Sequence, residues 1–276
     1  MEHANVRYLE AKRTVDDRAL NRRVRDRLLA ELPPNPEIVE FAAGTGVTVP
    51  RLIEWGLDAF DYRGIEQDAD LVAYARDRRA AELATTLDGV RPTEHGFRAG
   101  DATAAFQAGD ALACEAEADL VVAQAFADLV PLDDLLDALD RSLAPGGLAY
   151  LPITFDGGTL FQPDHPVDDR VEAAYHDWID AKPGRDPRAG RHLLDRFREH
   201  SGDLLAAGAS DWIVRPVDDY PADERYFLST ILDFVAEALE NTDVAGAADW
   251  LESRRDQLAA GELTYVAHQY DLLYER

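Results

Sequence analysis

Lysine is almost missing from this sequence: Lys12 and Lys182 stand alone, and arginine supplies the rest of the 28 basic residues. Cysteine is rarer still, and the single Cys114 excludes an intramolecular disulfide and points to a reducing compartment. There is no apolar run of the length a membrane helix needs and no signal-peptide pattern, so a cytoplasmic protein without a membrane span is expected. Basic charge is scarce against 54 acidic residues, net −26. A general nucleic-acid binder is therefore not expected, because neutralising a phosphate backbone takes a basic face. The densest arginine cluster, NRRVRDR from Asn21 to Arg27, reads as one side of an amphipathic helix.

What is present in excess is acid, spread from Asp16 to Asp271 without a long block of like charge, the pattern of a solvated skin. Such a surface repels itself in dilute buffer, whereas near 1 M salt the Debye length falls to roughly 3 Å and screens it. The composition resembles that of proteins from extremely halophilic, salt-accumulating cells.

Apolar residues make up 46% of the chain, enough for one full core. Val6, Leu9, Leu20, Val24 and Leu28 recur at helical spacing and predict a helix over 5–31, which LPPNP (Leu32 to Pro36) stops. Strands are expected at 37–41, 59–66, 94–99, 120–124 and 148–153, with helices after the first, second and fourth. This alternation predicts an α/β, Rossmann-like three-layer sandwich around a mostly parallel seven-stranded sheet. Beyond TFDGG (Thr154 to Gly158) a helical stretch over 168–208 and a short strand near 211–216 are expected. A helical pair at 222–240 and 247–259 and a last strand in 262–275 complete the chain. The expected organisation is an N-terminal helical segment (1–35), a binding core (36–155), a helical cap insert (156–210), and final strands with a second helical insert (211–276).

The turn AAGTG, from Ala42 to Gly46, follows the first strand, at the edge where open α/β sheets bind ligands. Gly44 and Gly46 would let a backbone approach a ligand without a Cβ in the way. A P-loop is excluded by the missing GK[ST], and Val49 occupies the third glycine of a dinucleotide fingerprint. Acids are expected at three successive strand tips: Glu40 ahead of the turn, Glu66 after the second strand, and Asp101 after the third. A carboxylate at the second tip can accept both hydroxyls of a ribose, and one at the third can receive an adenine amino group.

At these residues the chain resembles the class I S-adenosylmethionine-dependent methyltransferases. The matching segments are VEFAAGTG, GIEQDADLVAYAR, AGDA, ADLVVAQAFADLV and LDRSLAPGGLAYLPI, over about residues 36 to 155. Ala42 stands where the family more often has its first glycine. The resemblance implies S-adenosyl-L-methionine as cofactor, with Gly44 and Gly46 beneath it, Glu40 toward the methionine amino group and Glu66 on the ribose. It implies Gln67 beside the adenine, Asp101 and Ala102 at its edge, and Gln124 facing the reacting methyl. Tyr8 and Lys12 would lie on a helix that closes over the cofactor.

A sulfonium is an activated methyl donor, so in-line alignment of an acceptor and exclusion of water is most of what such a protein supplies. The expected acceptor is a small molecule, seated among cap aromatics Tyr175, Trp178, Trp212, Tyr226 and Phe227, with His165, His176 and His192 as candidate bases. His192 and His200, eight apart, do not suggest a metal site. Two other readings stay open: an S-adenosylmethionine-binding protein without catalysis, and a nucleotide-dependent oxidoreductase.

Overall fold

The structure is a computed structural model that describes residues 5–240 and 242–276. The expected N-terminal helix is two: α1 (Val6–Ala19) and α2 (Arg22–Glu31). Asn21 causes the break, because its side chain caps α2 by accepting from the amides of Arg23 and Val24. Strand β1 (Glu37–Phe41) then leads through the glycine turn into α3 (Thr48–Glu54), β2 (Asp61–Glu66) and α4 (Ala69–Leu83).

The next strands differ from expectation. β3 (Arg91–Pro92) and β4 (Gly96–Ala99) form an antiparallel flank, and the third core strand is β5 (Ala102–Ala108), which pairs parallel with β2. β4 turns into β5 at Gly100 and Asp101, with Ala99 paired to Ala102 and Gly100 at φ +62°. β6 (Ala118–Val122) and α5 (Leu132–Ser142) precede β7 (Leu143–Gln162), which runs far past the expected end of its strand. The segment Thr154 to Gly158 is a bulged continuation of β7, so a boundary at 155 falls inside one strand.

After α6 (Asp168–Asp180) and α7 (Ala189–Glu199) comes β8 (Asp203–Ala209), where the sequence reading expected helix. β9 (Trp212–Val214), α8 (Ala222–Leu239), α9 (Ala247–Ala260) and β10 (Thr264–Glu275) follow close to expectation. The sheet has ten strands rather than seven, in the order β3-β4-β5-β2-β1-β6-β7-β10-β8, with β9 on β10. Its centre from β5 to β7 is parallel, and both flanks are antiparallel.

Alternation along β1 divides the two faces. Ile38 packs with Val24, Leu28, Val49, Leu52 and Val72 of α2 to α4, while Val39 and Phe41 pack on the opposite layer with α5 and α7. The helix α7, expected in the cap, is therefore a sheet-facing helix, with Leu193 and Phe197 buried against it. A third apolar core forms the cap: Tyr8, Ala11 and Val15 of α1 join α6, α8 and α9 around Phe161, Trp250 and Tyr265. Trp250 is fully buried, with its ring edge-on to Phe161 and its Nε1 donating to Asp168.

Candidate functional site

The strand order reverses between β1 and β6, which places the switch point, and with it the usual ligand crevice, beside the turn from Ala42 to Gly46. Three non-glycine residues with left-handed backbone lie around this edge: Ala42 (φ +51°), Ala125 (φ +48°) just past β6, and Ile153 (φ +57°) in β7. Such conformations cost of order 1–3 kcal/mol each and gather at functional sites. Ile153 is held by the buried Asp271, whose carboxylate accepts its amide at 2.9 Å.

The two glycines of the turn serve different needs. A Cβ on Gly46 would stand 2.7 Å from the Phe106 ring and 3.2 Å from Ala75, so this glycine lets α4 and β5 pack closely. Among the described residues, a Cβ on Gly44 would meet only Leu9 Cδ1 at 3.5 Å and the Ala42 carbonyl, leaving a cradle over which α1 passes. The Gly44 amide donates to Glu66 Oε2 at 2.9 Å, and Asp68 donates its amide to Oε1 at 3.0 Å. Each Glu66 oxygen keeps a second lone-pair site, the form needed to receive paired hydroxyls. Gln67 follows Glu66 at the same tip and is exposed.

Asp101 and Ala102 are corrected by the topology. They occupy the β4–β5 hairpin, beside Thr103, which pairs with Asp61 at the amino end of β2, so they sit at the edge opposite the glycine turn. The tetrapeptide AGDA occurs twice, at 99–102 and again at 108–111. The second copy reaches the carboxyl edge: Gly109 donates its amide to the Glu66 carbonyl at 2.9 Å, and Asp110 follows, exposed and accepting from Leu112 N. The repeat itself was the signal that could have found Asp110.

Glu40 is buried, at 3% exposure, and turns inward. It accepts from Thr48 Oγ1 at 2.7 Å and from the Tyr62 hydroxyl, so it ties the start of α3 to β2 and presents no open face to the turn. Burial pushes its pKa up to about 7, against the lowering pull of Tyr62, Thr48 and Arg51. An unfolded glutamate titrates near roughly 4.3. The native state then binds the proton more tightly, and stability is lost as pH rises between those values. Glu40→Gln removes this loss: its stability relative to the native chain should rise by up to about 3 kcal/mol between roughly pH 4.5 and 7.5. Urea unfolding at stepped pH measures it, and a pH-independent difference would show that the carboxyl titrates normally.

Gln124 lies past β6 with both ends of its amide engaged: it accepts from Arg51 Nη1 at 2.5 Å and donates to Asp16 Oδ2 at 2.9 Å. Arg51, at 2% exposure, also binds Asp17 through Nε at 2.5 Å. Asp16, at 1% exposure, takes Trp212 Nε1 at 2.9 Å and faces Lys12 Nζ at 3.5 Å. This buried polar hub fastens α1 across the edge, assisted by Glu10 on Arg79 and Arg18 on Glu224. Tyr8 stacks on Phe227 inside the cap, while Leu9, which the sequence reading did not single out for the site, covers Gly44.

The three candidate histidines have partners other than the glycine turn. His165 supports the start of α6, His192 pairs with Asp186, and His176 meets Thr159 Oγ1 at 2.9 Å, with burial holding its pKa down. Among the described residues no group of three or more His, Cys, Asp or Glu is placed to hold a metal, and no helix is long and apolar enough to cross a membrane.

No protein-family model matches the sequence, and no curated protein matches it. Similar solved structures include a SAM-dependent methyltransferase from Geobacter sulfurreducens in complex with S-adenosyl-L-homocysteine, 17% identical, with a TM-score of 0.49 over 94% of this chain and 92% of that chain. A geranyl diphosphate methyltransferase in complex with SAM is 12% identical, with a TM-score of 0.47 over 98% of this chain and 85% of that one. YjhP from E. coli is 16% identical, with a TM-score of 0.50 over 99% of this chain and 100% of that chain. The likeness to YjhP along essentially the whole of both chains shows a shared fold, a Rossmann-like α/β sandwich.

Proposed function

We propose that the protein is an S-adenosylmethionine-dependent methyltransferase acting on a small-molecule acceptor. The observation that carries this reading is the pairing of the Gly44 cradle with the Glu66 carboxylate, joined by the Gly44 amide at the switch point. A nucleoside with a charged tail fits that arrangement: ribose hydroxyls on Glu66, the adenine edge between Gln67 and Asp110, and the backbone of Gly44 beneath. The methyltransferases named among the similar solved structures, crystallised with S-adenosylmethionine or its demethylated product, accord with the assignment. When bound, the sulfonium supplies an activated methyl group. The chain's own part is to hold the nucleoside on Glu66, close α1 over the crevice through Leu9, and keep water from the edge with the cap. The acidic, lysine-poor surface and single cysteine further suggest the cytoplasm of a salt-accumulating cell.

Calorimetric titration with S-adenosylmethionine, S-adenosylhomocysteine and NAD, in about 2 M KCl, tests the cofactor. Binding of the sulfur ligands alone is expected; NAD binding alone would replace the reading with an oxidoreductase. Glu66→Ala should weaken S-adenosylhomocysteine about 10- to 100-fold, the loss of one or two hydrogen bonds to a charged group. Asp110→Ala should weaken it less, and Asp101→Ala should leave it unchanged. A loss on Asp101→Ala matched by none on Asp110→Ala would reverse the assignment of the third strand tip.

A further inference from the structure

The cap encloses a cavity that the cofactor reading leaves unused. It measures about 280 Å³ and lies between the end of β7, the first half of α6, and the sides of α8 and α9. Among the described residues none of the glycine turn, β1, β2 or α1 lines it. About nine waters fill such a space, or an organic molecule of a similar number of heavy atoms. Its walls divide by chemistry. Phe161, Val171, Val235 and Trp250, each no more than 5% exposed, form an apolar floor. Asp164, Asp169 and Glu172 bring carboxylates to the cavity, and none of its described lining residues is a lysine or an arginine. Asp168 also lines it, but that carboxylate is spent on Trp250 Nε1, the Arg254 guanidinium and the His165 amide.

Acid alone marks nothing in a chain with 54 carboxylates. Two unmet hydrogen-bonding atoms on the same wall do. Glu172 is half-buried and held in place, because its Oε1 accepts the Thr159 amide at 2.9 Å, while its Oε2 has no hydrogen bond to a described residue. Tyr175, three positions further along α6, is 9% exposed, and its hydroxyl likewise has no hydrogen bond to a described residue. The buried Tyr62 and Tyr220, by contrast, are bonded to Glu40 and to the Leu263 carbonyl. Side chains on a helix lean toward its amino end, so Tyr175 leans over Val171 and Glu172, which line the same cavity. Unlike Asp128 Oδ1, neither oxygen is sealed, so both stay open to an incoming molecule.

We propose that this cavity binds a primary ammonium carried on a small apolar body, with Glu172 Oε2 and the Tyr175 oxygen taking its N–H groups and the floor taking its apolar end. A carboxylate oxygen accepts only, and a protonated amine has donors enough for it and for the tyrosine together. An anion is opposed by the lining acids. A quaternary ammonium has no N–H to give, and the aromatic faces that would hold it already hold Arg254, whose guanidinium lies 5.3 Å from the Trp250 ring and 5.9 Å from that of Phe161. The site stands apart from the methyl-transfer reading, since nothing in it uses the cofactor.

The test is titration of the full chain with benzylamine, benzyl alcohol, phenylacetate and benzyltrimethylammonium, followed by saturation-transfer NMR near neutral pH in about 2 M KCl. Benzylamine should bind more tightly than the other three, and at least about tenfold more tightly than the alcohol, the gain from one charge-assisted hydrogen bond. Glu172→Gln keeps an acceptor for the Thr159 amide but loses the charge, and should bring the amine to within about threefold of the alcohol. Tyr175→Phe keeps the ring and should weaken the amine by about three- to tenfold. Asp195→Asn, on an exposed acid of α7, should change nothing and so controls for the charge of the whole surface. Equal binding of amine and alcohol, tightest binding of phenylacetate or of the quaternary ion, or no binding of the amine would each overturn the proposal. So would an amine preference that survives Glu172→Gln or falls as far with Asp195→Asn. The ranking of the four probes on the native chain decides the matter even where a variant fails to fold.

Discussion

Arg51→Met should lower the unfolding free energy by about 3–5 kcal/mol, the usual cost of stripping a buried charge of its partner. Arg51 joins three elements: its guanidinium binds Asp17 on α1 and the Gln124 amide past β6, and its Nη2 lies 3.9 Å from Asp16. Methionine fills a similar volume but leaves Asp16, at 1% exposure, with Lys12 at 3.5 Å as its nearest cation. Removing that carboxylate's charge as well, in Asp16→Asn with Arg51→Met, should recover part of the loss, because the buried charge is then gone with its counter-ion. Urea unfolding in about 2 M KCl reads both. A loss of less than about 1 kcal/mol would show that Lys12 alone holds the hub.

The second large effect is salt. If each of the 26 excess negative charges costs only about 0.2 kcal/mol of repulsion, the low end for exposed pairs, their sum is about 5 kcal/mol. At roughly 2–4 °C per kcal/mol for a chain of this size, lowering KCl from about 2 M to about 0.1 M should drop Tm by roughly 10–20 °C. Pairs such as Arg196–Asp133 and Arg7–Asp223 work in the other direction, since screening weakens them, but they are half-exposed and each is worth little. Scanning calorimetry across a KCl series measures the slope. A Tm that does not change with salt would mean that the acidic skin carries no net repulsion.

The legible parts of the fold were those in which apolar periodicity and a stop signal agree. EIVEF before AAGTG gives β1 and its turn, and the heptad-like leucines of α5 followed by APGG give the entry to β7. β5 was missed because ATAAFQA is mostly alanine, a weak strand former, and its burial rests on Ala102, Ala104 and Phe106. That omission alone displaced the third strand tip from Asp110 to Asp101. β8 was missed for the same reason: DLLAAGA reads as helix by propensity and becomes a strand by pairing with β10. Glu66 and Gly44 lie where the turn chemistry placed them, and Gly46 lies in the same turn but serves packing. Long-range bonds were beyond reach of spacing, which is why neither the inward turn of Glu40 onto Tyr62 nor the Asp16–Arg51–Gln124 hub was foreseen.

The position of β10 bears on how the protein is made. β10 lies between β7 and β8, pairing with β7 from Thr264 to Glu275 and with β8 from Tyr270 to Glu275. On the ribosome, β8 emerges well before the strand it must bond to, and β7 meanwhile offers its open side to any extended chain. The parallel centre can assemble early, but the sheet cannot close until β10 has left the exit tunnel. The nascent chain thus carries an unfilled slot until β10 emerges, a state in which a chaperone that shields strand edges would matter more than one that shields apolar helices.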